Sequence, residues 1–572
     1  MNPYYLVVVD TAQIQPYIFA SNRLRENVGA SFLVRQVTGE WALKTLRTVA
    51  PSCNLDQEHQ ITNQRIEDGE IDAEVIYSGG GKFLALFRQE DTAHRFARIL
   101  SLKTLKDAPG LQLVIVCHPY TWGENLNDAV SQAFEKLERK KRNQRFSTPL
   151  AGLGVTEACR STGLPATKMS PVIEGDDTST YPVSAEVAAK LAAVKQANDY
   201  LNEQCKDPLL QLKQRLDAGV EYPLSLDDLG RSHEEFSYIA VMHIDGNQIG
   251  ERILNVGRLV GANPRQYIQT QREFSQKLEA AGIKALNAAL LTMVEAVDPA
   301  EKCFIQRAED GVEIFRFELP RKRNGSFYMP VRPLIFGGDD FALVCDGRLG
   351  ISLAAALMRQ FARTTGEAGL PDKKGNASAC AGIAIVKTHY PFAQAYELAE
   401  ALCRSAKDYR REIKTQTKQD ATCLDWYFAQ GGLYGDLETM RNREYQVSDG
   451  DLETIRNREY QVSARSLTLR PVTLEERNPH HPERTWHVIR NGVRAFQGSE
   501  WRDRHNKVKD LREALRGGEV EVKAFLLKYG RKENPHLPDI VPQKEDFKLG
   551  GWAGSRCGYF DSIELADWLL DF

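Results

Sequence analysis

The sequence is informative first for what it does not contain. None of its ten cysteines forms a Cys-x-x-Cys pair, so no clustered zinc-ligand pattern is present. Cys159, Cys303, Cys345 and Cys380 sit among apolar or small residues, the setting of reduced thiols in a cytosolic protein. No stretch approaches the ~18 consecutive apolar residues of a membrane span. The apolar start MNPYYLVVVDTAQ has neither a basic flank nor a cleavage site, and reads as a buried strand rather than a signal peptide. An excess of basic charge is missing too. The 74 Lys and Arg residues are balanced by 77 Asp and Glu, for a net charge of −3. A dedicated duplex binder is usually basic overall, so nucleic acid is disfavoured as the main partner, although a local basic channel remains compatible.

What is present is ordinary soluble-protein material: 572 residues, 42% hydrophobic and 26% charged. That length suits about three to four domains at ~150 residues each. The pattern predicts a strand over residues 4–9 and a helix over 25–46. Two apolar runs at 73–77 and 83–87 flank Ser78-Gly79-Gly80-Gly81-Lys82 as a hairpin. A helix over 92–105, a strand over 111–117 and a helix over 126–142 complete a β-α-β-β-α-β order, the ferredoxin-like pattern. The order recurs in a strand over 238–244, a long helix over 264–297, a hairpin of 332–336 and 341–345 around Gly337-Gly338-Asp339-Asp340, a helix over 349–364, a strand over 379–387 and a helix over 392–409. Residues 150–235 form a connector with a polar stretch at 174–180 and a helix over 184–216. One near-perfect repeat stands out. DLETMRNREYQVS at 436–448 returns as DLETIRNREYQVS at 451–463, which predicts a tandem duplication in a tolerant surface element. Residues 470–572 read as mostly helical, with candidates at 501–516, 519–529 and 562–570. The expected boundaries are 1–150, 151–235, 236–432, 433–466 and 467–572.

The sharpest chemical signal is LIFGGDDFALVCDG at 334–347. Two adjacent carboxylates on a glycine turn between apolar strands repel unless solvated or paired with a cation. Magnesium takes oxygen ligands, commonly one or two carboxylates plus substrate phosphates. Glycines at the turn let a phosphate approach the backbone. A third acid, Asp245, ends the strand in VMHIDGNQIG at 241–250 and would face Asp339 and Asp340 across the sheet. Two metals held there would activate a hydroxyl and neutralise a leaving pyrophosphate. Taken singly, a Gly-Gly-Asp-Asp turn is ordinary hairpin chemistry and an Asp before Gly is often a helix cap. Their joint occurrence in this order of elements is what points to catalysis. Lys407, late in its helix, fits either a phosphate-neutralising role or a solvated basic helix end with Arg410 and Arg411. The first unit has glycine where the acids would be and keeps only Asp10 at its strand end, so it is expected to be catalytically silent. Gly79, Gly80 and Lys82 would then either bind a nucleotide through backbone amides and the ammonium or serve as scaffold.

At these residues the chain resembles the large palm-domain polymerase-cyclase subunit of type III CRISPR effector complexes, a family related to the GGDEF diguanylate cyclases. The matching stretches are DTAQIQPYIFASNRLRENVGAS (10–31), ACRSTGLPA (158–166), HIDGNQIG (243–250), LIFGGDDFALVCDG (334–347), CAGIAIVKTHYPF (380–392), AKDYRRE (406–412) and LDWYFAQGG (424–432). The helical tail, with LRPVT and LREALRGG, looks like the family's C-terminal domain. The resemblance implies an α/β (α+β) protein of tandem ferredoxin-like palms with nucleoside triphosphates between them. Asp245, Asp339 and Asp340 would be catalytic Mg2+ or Mn2+ ligands. Gly246, Gly337, Gly338 and Lys407 would lie near phosphate. It implies conversion of ATP into a cyclic oligonucleotide messenger for antiviral defence, in the cytoplasm. The implied partners are CRISPR effector subunits with guide and target RNA, or none beyond further copies of the chain. A cyclic dinucleotide synthase and a non-catalytic scaffold subunit are the alternatives. Three departures shape these expectations. The first palm starts at residue 4 and no His-Asp dipeptide occurs, so the family's HD nuclease activity is not expected. Of the family's zinc cysteines only Cys159 stands near TGLPA, and Cys380 occupies a place where serine is common.

Overall fold

The computed structural model describes residues 3–143, 154–171, 180–230, 237–322, 324–429, 436–447, 465–529, 536–541 and 544–572. Residues 174–179 of the expected polar stretch and the second repeat copy at 451–463 lie outside them.

The first unit opens with the strand Tyr4–Ala12, whose Leu6 to Val9 core is wholly buried, as a central strand covered on both faces requires. Its sheet runs Ala73–Gly79, Lys82–Phe87, Tyr4–Ala12, Gln112–Tyr120. This is the ferredoxin-like order expected from the sequence. The single helix predicted over 25–46 is two, Leu24–Thr38 and Glu40–Val49. The break falls at Gly39, whose backbone leaves helical values (φ −101, ψ −107). The connector helix predicted over 184–216 is likewise two, Ala185–Gln204 and Lys206–Leu216.

The second unit repeats the order with an extension. Its six strands run Val331–Gly337, Asp340–Asp346, Tyr238–Gly246, Ala379–Lys387, Cys423–Ala429, Val472–Thr473. The strand Cys423–Ala429 was not anticipated. It lies parallel to Ala379–Lys387, reached through the crossover helix Phe392–Thr417. All seven of its residues are buried, so its sequence carries no alternation that would announce a strand.

The long helix Pro264–Glu295 packs against both sheets. Arg265 and Arg272 reach into the first unit and together hold Glu74, which is 0% exposed, at 2.7 and 3.1 Å. Further along, Gly282 lies under the hairpin turn of the second unit. A Cβ there would sit 2.4 Å from the Gly338 carbonyl oxygen, so only glycine lets helix and turn approach this closely. A second contact between the units is aromatic. Phe19 stacks on Tyr396 with ring centroids 3.7 Å apart.

The first repeat copy is largely exposed or half-buried, as a surface element is expected to be, but one side of it is anchored. Residues Leu437–Tyr445 form a helix with Met440 and Tyr445 buried. Arg441 pairs with Asp425, a carboxylate buried on the strand Cys423–Ala429. The C-terminal region is helical as expected, in Trp486–Gln497, His505–Gly517, Glu519–Tyr529, Glu545–Gly550 and Phe560–Ala566, but it also contributes two short strands to a four-stranded sheet. Its end is fastened to the second unit, where Ser352 Oγ donates to the Leu570 carbonyl at 2.6 Å. All ten cysteines are free thiols, as their surroundings predicted.

Candidate active site

The hairpin turn is built by conformation before chemistry. Gly337 (φ 135) and Gly338 (φ 62) lie where side chains are rarely tolerated, which folds the two strands back tightly enough to pair Gly337 with Asp340. On its other edge the strand Asp340–Asp346 pairs with Tyr238–Gly246, and the register sets Asp340 directly opposite Asp245. The Gly246 amide donates to the Asp339 carbonyl at 2.8 Å. Three acids from two separate stretches of chain therefore meet at one sheet end, as the sequence predicted.

Their electrostatics is that of a site short of positive charge. Burial, followed by the Asp245 charge, raises Asp339 to about 6 and Asp340 to about 7. Asp340 Oδ1 is buried without a hydrogen-bond partner. The nearest cation-capable group, His243 Nδ1, is 3.7 Å away, and burial lowers the His243 pKa, which leaves the ring neutral at physiological pH. That same Nδ1 lies 3.2 Å from the Tyr396 hydroxyl. The Asp340 side chain is nevertheless 48% exposed, so solvent screens these charges. Asp245 is different: it pairs with Lys407. Burial works against the Lys407 charge, but the hydrogen bond to Asp245 and the Asp245 charge, helped by smaller contributions, together outweigh it and raise the pKa. Lys407 is thus held by Asp245 at the acidic sheet end and is not a solvated helix end.

These residues fit a divalent cation in a particular way. Among the described residues no group of three or more His, Cys, Asp or Glu side chains is placed to hold a metal ion. The turn offers carboxylates raised first by burial and then by the neighbouring Asp245 charge, and one orphaned oxygen. Magnesium is usually held by one or two carboxylates and completed by water and phosphate, and that donor set is present.

The first unit carries the same architecture with different chemistry. Gly79 (φ 153) and Gly80 (φ 55) reproduce the glycine turn, and Gly79 pairs with Lys82 as Gly337 does with Asp340. Both hairpins even share an irregularity two residues before the turn, at Val75/Tyr77 and Pro333/Ile335. Asp10 is registered opposite Lys82, so Lys82 stands where Asp340 stands. Sequence reading left Asp10 alone, but Lys141 Nζ binds its Oδ2 at 2.7 Å. Each lysine lies 27 positions beyond the strand residue registered with its aspartate, Val114 for Lys141 and Cys380 for Lys407. That equal spacing is the signal that could have found Lys141.

The two turns face one cleft of about 1250 Å³, lined by Gly79, Gly80 and Lys82 from one side and Gly337, Gly338 and Asp340 from the other. Two ferredoxin-like sheets presenting their hairpin turns to a shared cleft, one turn acidic, define a tandem palm protein. Residues 238–414 match the family model described as Cas10/Cmr2, second palm domain. No curated protein matches the sequence. Among solved structures, the chain is similar over 100% of its length to 70% of Csm1 from T. onnurineus, at 12% identity and a TM-score of 0.51, a likeness of fold. It also aligns with the Csm1–Csm4 cassette in complex with cA4, at 11% identity over 99% of this chain and 69% of that one, with a TM-score of 0.49. With the apo cassette it shares 14% identity over 71% of this chain, with a TM-score of 0.40, and spans 53% of the matched chain's length. Among the described residues no helix is long and apolar enough to cross a membrane.

Proposed function

We propose that the chain is a nucleotidyltransferase that joins nucleoside triphosphates, with ATP as the substrate suggested by its family resemblance, and closes them into a cyclic oligonucleotide messenger for antiviral defence. The observation that carries this reading is the registered Asp245–Asp340 pair beside Asp339, with Asp339 and Asp340 lining a cleft of about 1250 Å³.

Asp245, Asp339 and Asp340 are the residues that would hold Mg2+ or Mn2+. Bound there, the metal supplies Lewis-acid activation of a 3′-hydroxyl and charge neutralisation at the leaving pyrophosphate. The chain's own contributions follow from position. The glycine turn brings its backbone amides to the triphosphate without a side chain in the way. Gly246 keeps the start of the next segment narrow beside Asp339. Lys407, already charged, can move from Asp245 to a phosphate oxygen when substrate enters. In the first palm, Lys82 and the Asp10–Lys141 pair replace the acid cluster. We read that half as non-catalytic, with Gly79, Gly80 and Lys82 either seating the second nucleotide or serving as scaffold.

Pyrophosphate release from ATP with Mg2+ tests the reaction, comparing the wild type with the Asp339→Ala, Asp340→Ala variant, with and without guide and target RNA. Release by the wild type alone supports the proposal, and mass spectrometry of the product separates a cyclic oligoadenylate from a cyclic dinucleotide. Equal, background-level release by both proteins in every condition would leave a non-catalytic nucleotide-binding subunit of an RNA-guided complex as the better reading.

A further inference from the structure

The strand that ends in the glycine turn carries an unusual residue near its other end. Arg332 is 1% exposed yet borders the same cleft. Its Nε and Nη1 are buried and make no hydrogen bond, and among the described residues no carboxylate forms an ion pair with it. The titratable groups that face it are Tyr222, with its ring centroid 5.9 Å from the guanidinium carbon, and the Cys205 thiol. Burial pushes Cys205 up to about 12 and Tyr222 well above its ordinary range. Both are neutral at physiological pH, so neither balances the charge. Burial lowers Arg332 itself to about 10, which still leaves it charged. A buried, unpaired guanidinium is heavily penalised, and the fold tolerates this one on the wall of an open cleft.

The same wall has a second feature. Phe336 lies between Arg332 and the turn along the strand, and stacks on Tyr200 at 17° with centroids 5.7 Å apart. The Arg35 guanidinium sits 3.8 Å over the Tyr200 ring, and all three residues line the cleft. Flat aromatic faces with an arginine are a surface on which nucleobases stack. From Arg332 to Gly337 is five residues, roughly 17 Å at ~3.3 Å per residue. A group at Arg332 is therefore beyond the reach of phosphates gathered at the turn.

We infer that Arg332 forms a second oxyanion subsite in the cleft, separate from the acidic turn and suited to a phosphate group gripped by the guanidinium fork. A guanidinium matches phosphate oxygens bidentately. The source is either a phosphate within a nucleotide chain lying along the wall, or free phosphate or pyrophosphate. The subsite is metal-independent, so it stands or falls separately from the proposed catalysis.

The test uses the full chain carrying Asp339→Asn and Asp340→Asn, in EDTA, so that metal-held anions at the turn do not contribute, and direct anion binding there is common to parent and Arg332 variant. Thermal unfolding is followed with inorganic phosphate, with pyrophosphate and with a short linear oligoadenylate, each against sodium chloride at matched ionic strength. The parent is expected to gain several degrees with a phosphate-bearing ligand, and Arg332→Met to lose that gain while melting no lower than the parent without ligand. A gain with all three ligands assigns the nucleotide chain as source, and a gain with the inorganic ions alone assigns free phosphate. Equal gains in parent and Arg332→Met overturn the inference, as does a parent that responds to phosphate no more than to chloride. If Arg332→Met does not fold, Arg332→Gln takes its place, and calorimetric titration of the parent with phosphate supplies a reading that needs no variant: absence of saturable heat overturns the subsite.

Discussion

Asp10 and Lys141 form an ion pair at 2.7 Å that occupies, in the first palm, the place Asp245 and Lys407 occupy in the second. At this sheet end the two palms therefore differ in the hairpin, where Gly81 and Lys82 stand in for Asp339 and Asp340, and share the aspartate–lysine pair beside it. One electrostatic difference follows. The second palm concentrates negative charge that calls for a cation, whereas the first supplies its own cation through Lys82.

Loss of either lysine should therefore be felt differently. Lys407→Met removes a charge from the acidic site and should lower the rate of pyrophosphate release by about 10²-fold, the scale of one lost electrostatic stabiliser. Lys141→Met leaves the acidic turn intact, so its effect should fall on KM for ATP with little change in kcat. Steady-state kinetics of the two variants separates the effects. A Lys141→Met enzyme with unchanged KM and kcat would assign the first palm to scaffolding.

The acidic turn also sets a pH dependence. Asp339 and Asp340 are raised from 3.8 to about 6 and about 7 in the folded chain. An acid raised on folding favours the native state while protonated. Its contribution is whole below the unfolded value and is lost as pH rises through 6 to 7. In EDTA the melting temperature should thus fall across that window. Mg2+ competes with these protons, so the Mg2+-induced gain should be larger at about pH 8 than at about pH 6. Differential scanning fluorimetry with Mg2+ and EDTA at both pH values checks this, and a gain independent of pH would argue against carboxylate ligation at the turn.

Gly282 offers a test of how the turn is positioned. A methyl group there meets the Gly338 carbonyl at 2.4 Å, so Gly282→Ala must push the long helix or the turn aside. The expected cost is about 1–3 kcal/mol of stability, with a disproportionate loss of turnover because the acids ride on that turn. Chemical denaturation together with pyrophosphate release measures both. Full activity in Gly282→Ala would show that the turn adapts without cost.

The first repeat copy yields a stability prediction. Arg441→Ala leaves the buried Asp425 carboxylate without its ion-pair partner, a change expected to cost about 3–5 kcal/mol. Arg441→Ala combined with Asp425→Asn should recover much of that loss. Urea unfolding of the single and double variants reads the coupling directly.

By itself the sequence determined what depends on near neighbours. The glycine turns, the strands around them, the element order of both palms and the identity of the three acids were all legible, because turn chemistry and strand patterning are local. Asp245 could be placed opposite the hairpin because that element order leaves few sheet topologies open. Tertiary structure decided the rest. Lys141 reaches Asp10 across 131 positions, Gly282 matters only because a helix crosses beneath the turn, and Arg332 is buried beside Tyr222 and Cys205 of the connector. The strand Cys423–Ala429 was hidden because burial on both faces erases alternation. The first repeat copy was expected at a tolerant surface because a near-perfect duplication suggests one, and nothing in the sequence signalled that Met440 and Tyr445 are buried and Arg441 pairs with Asp425. Long-range contacts of this kind depend on which surfaces the fold brings together, and no local pattern records that.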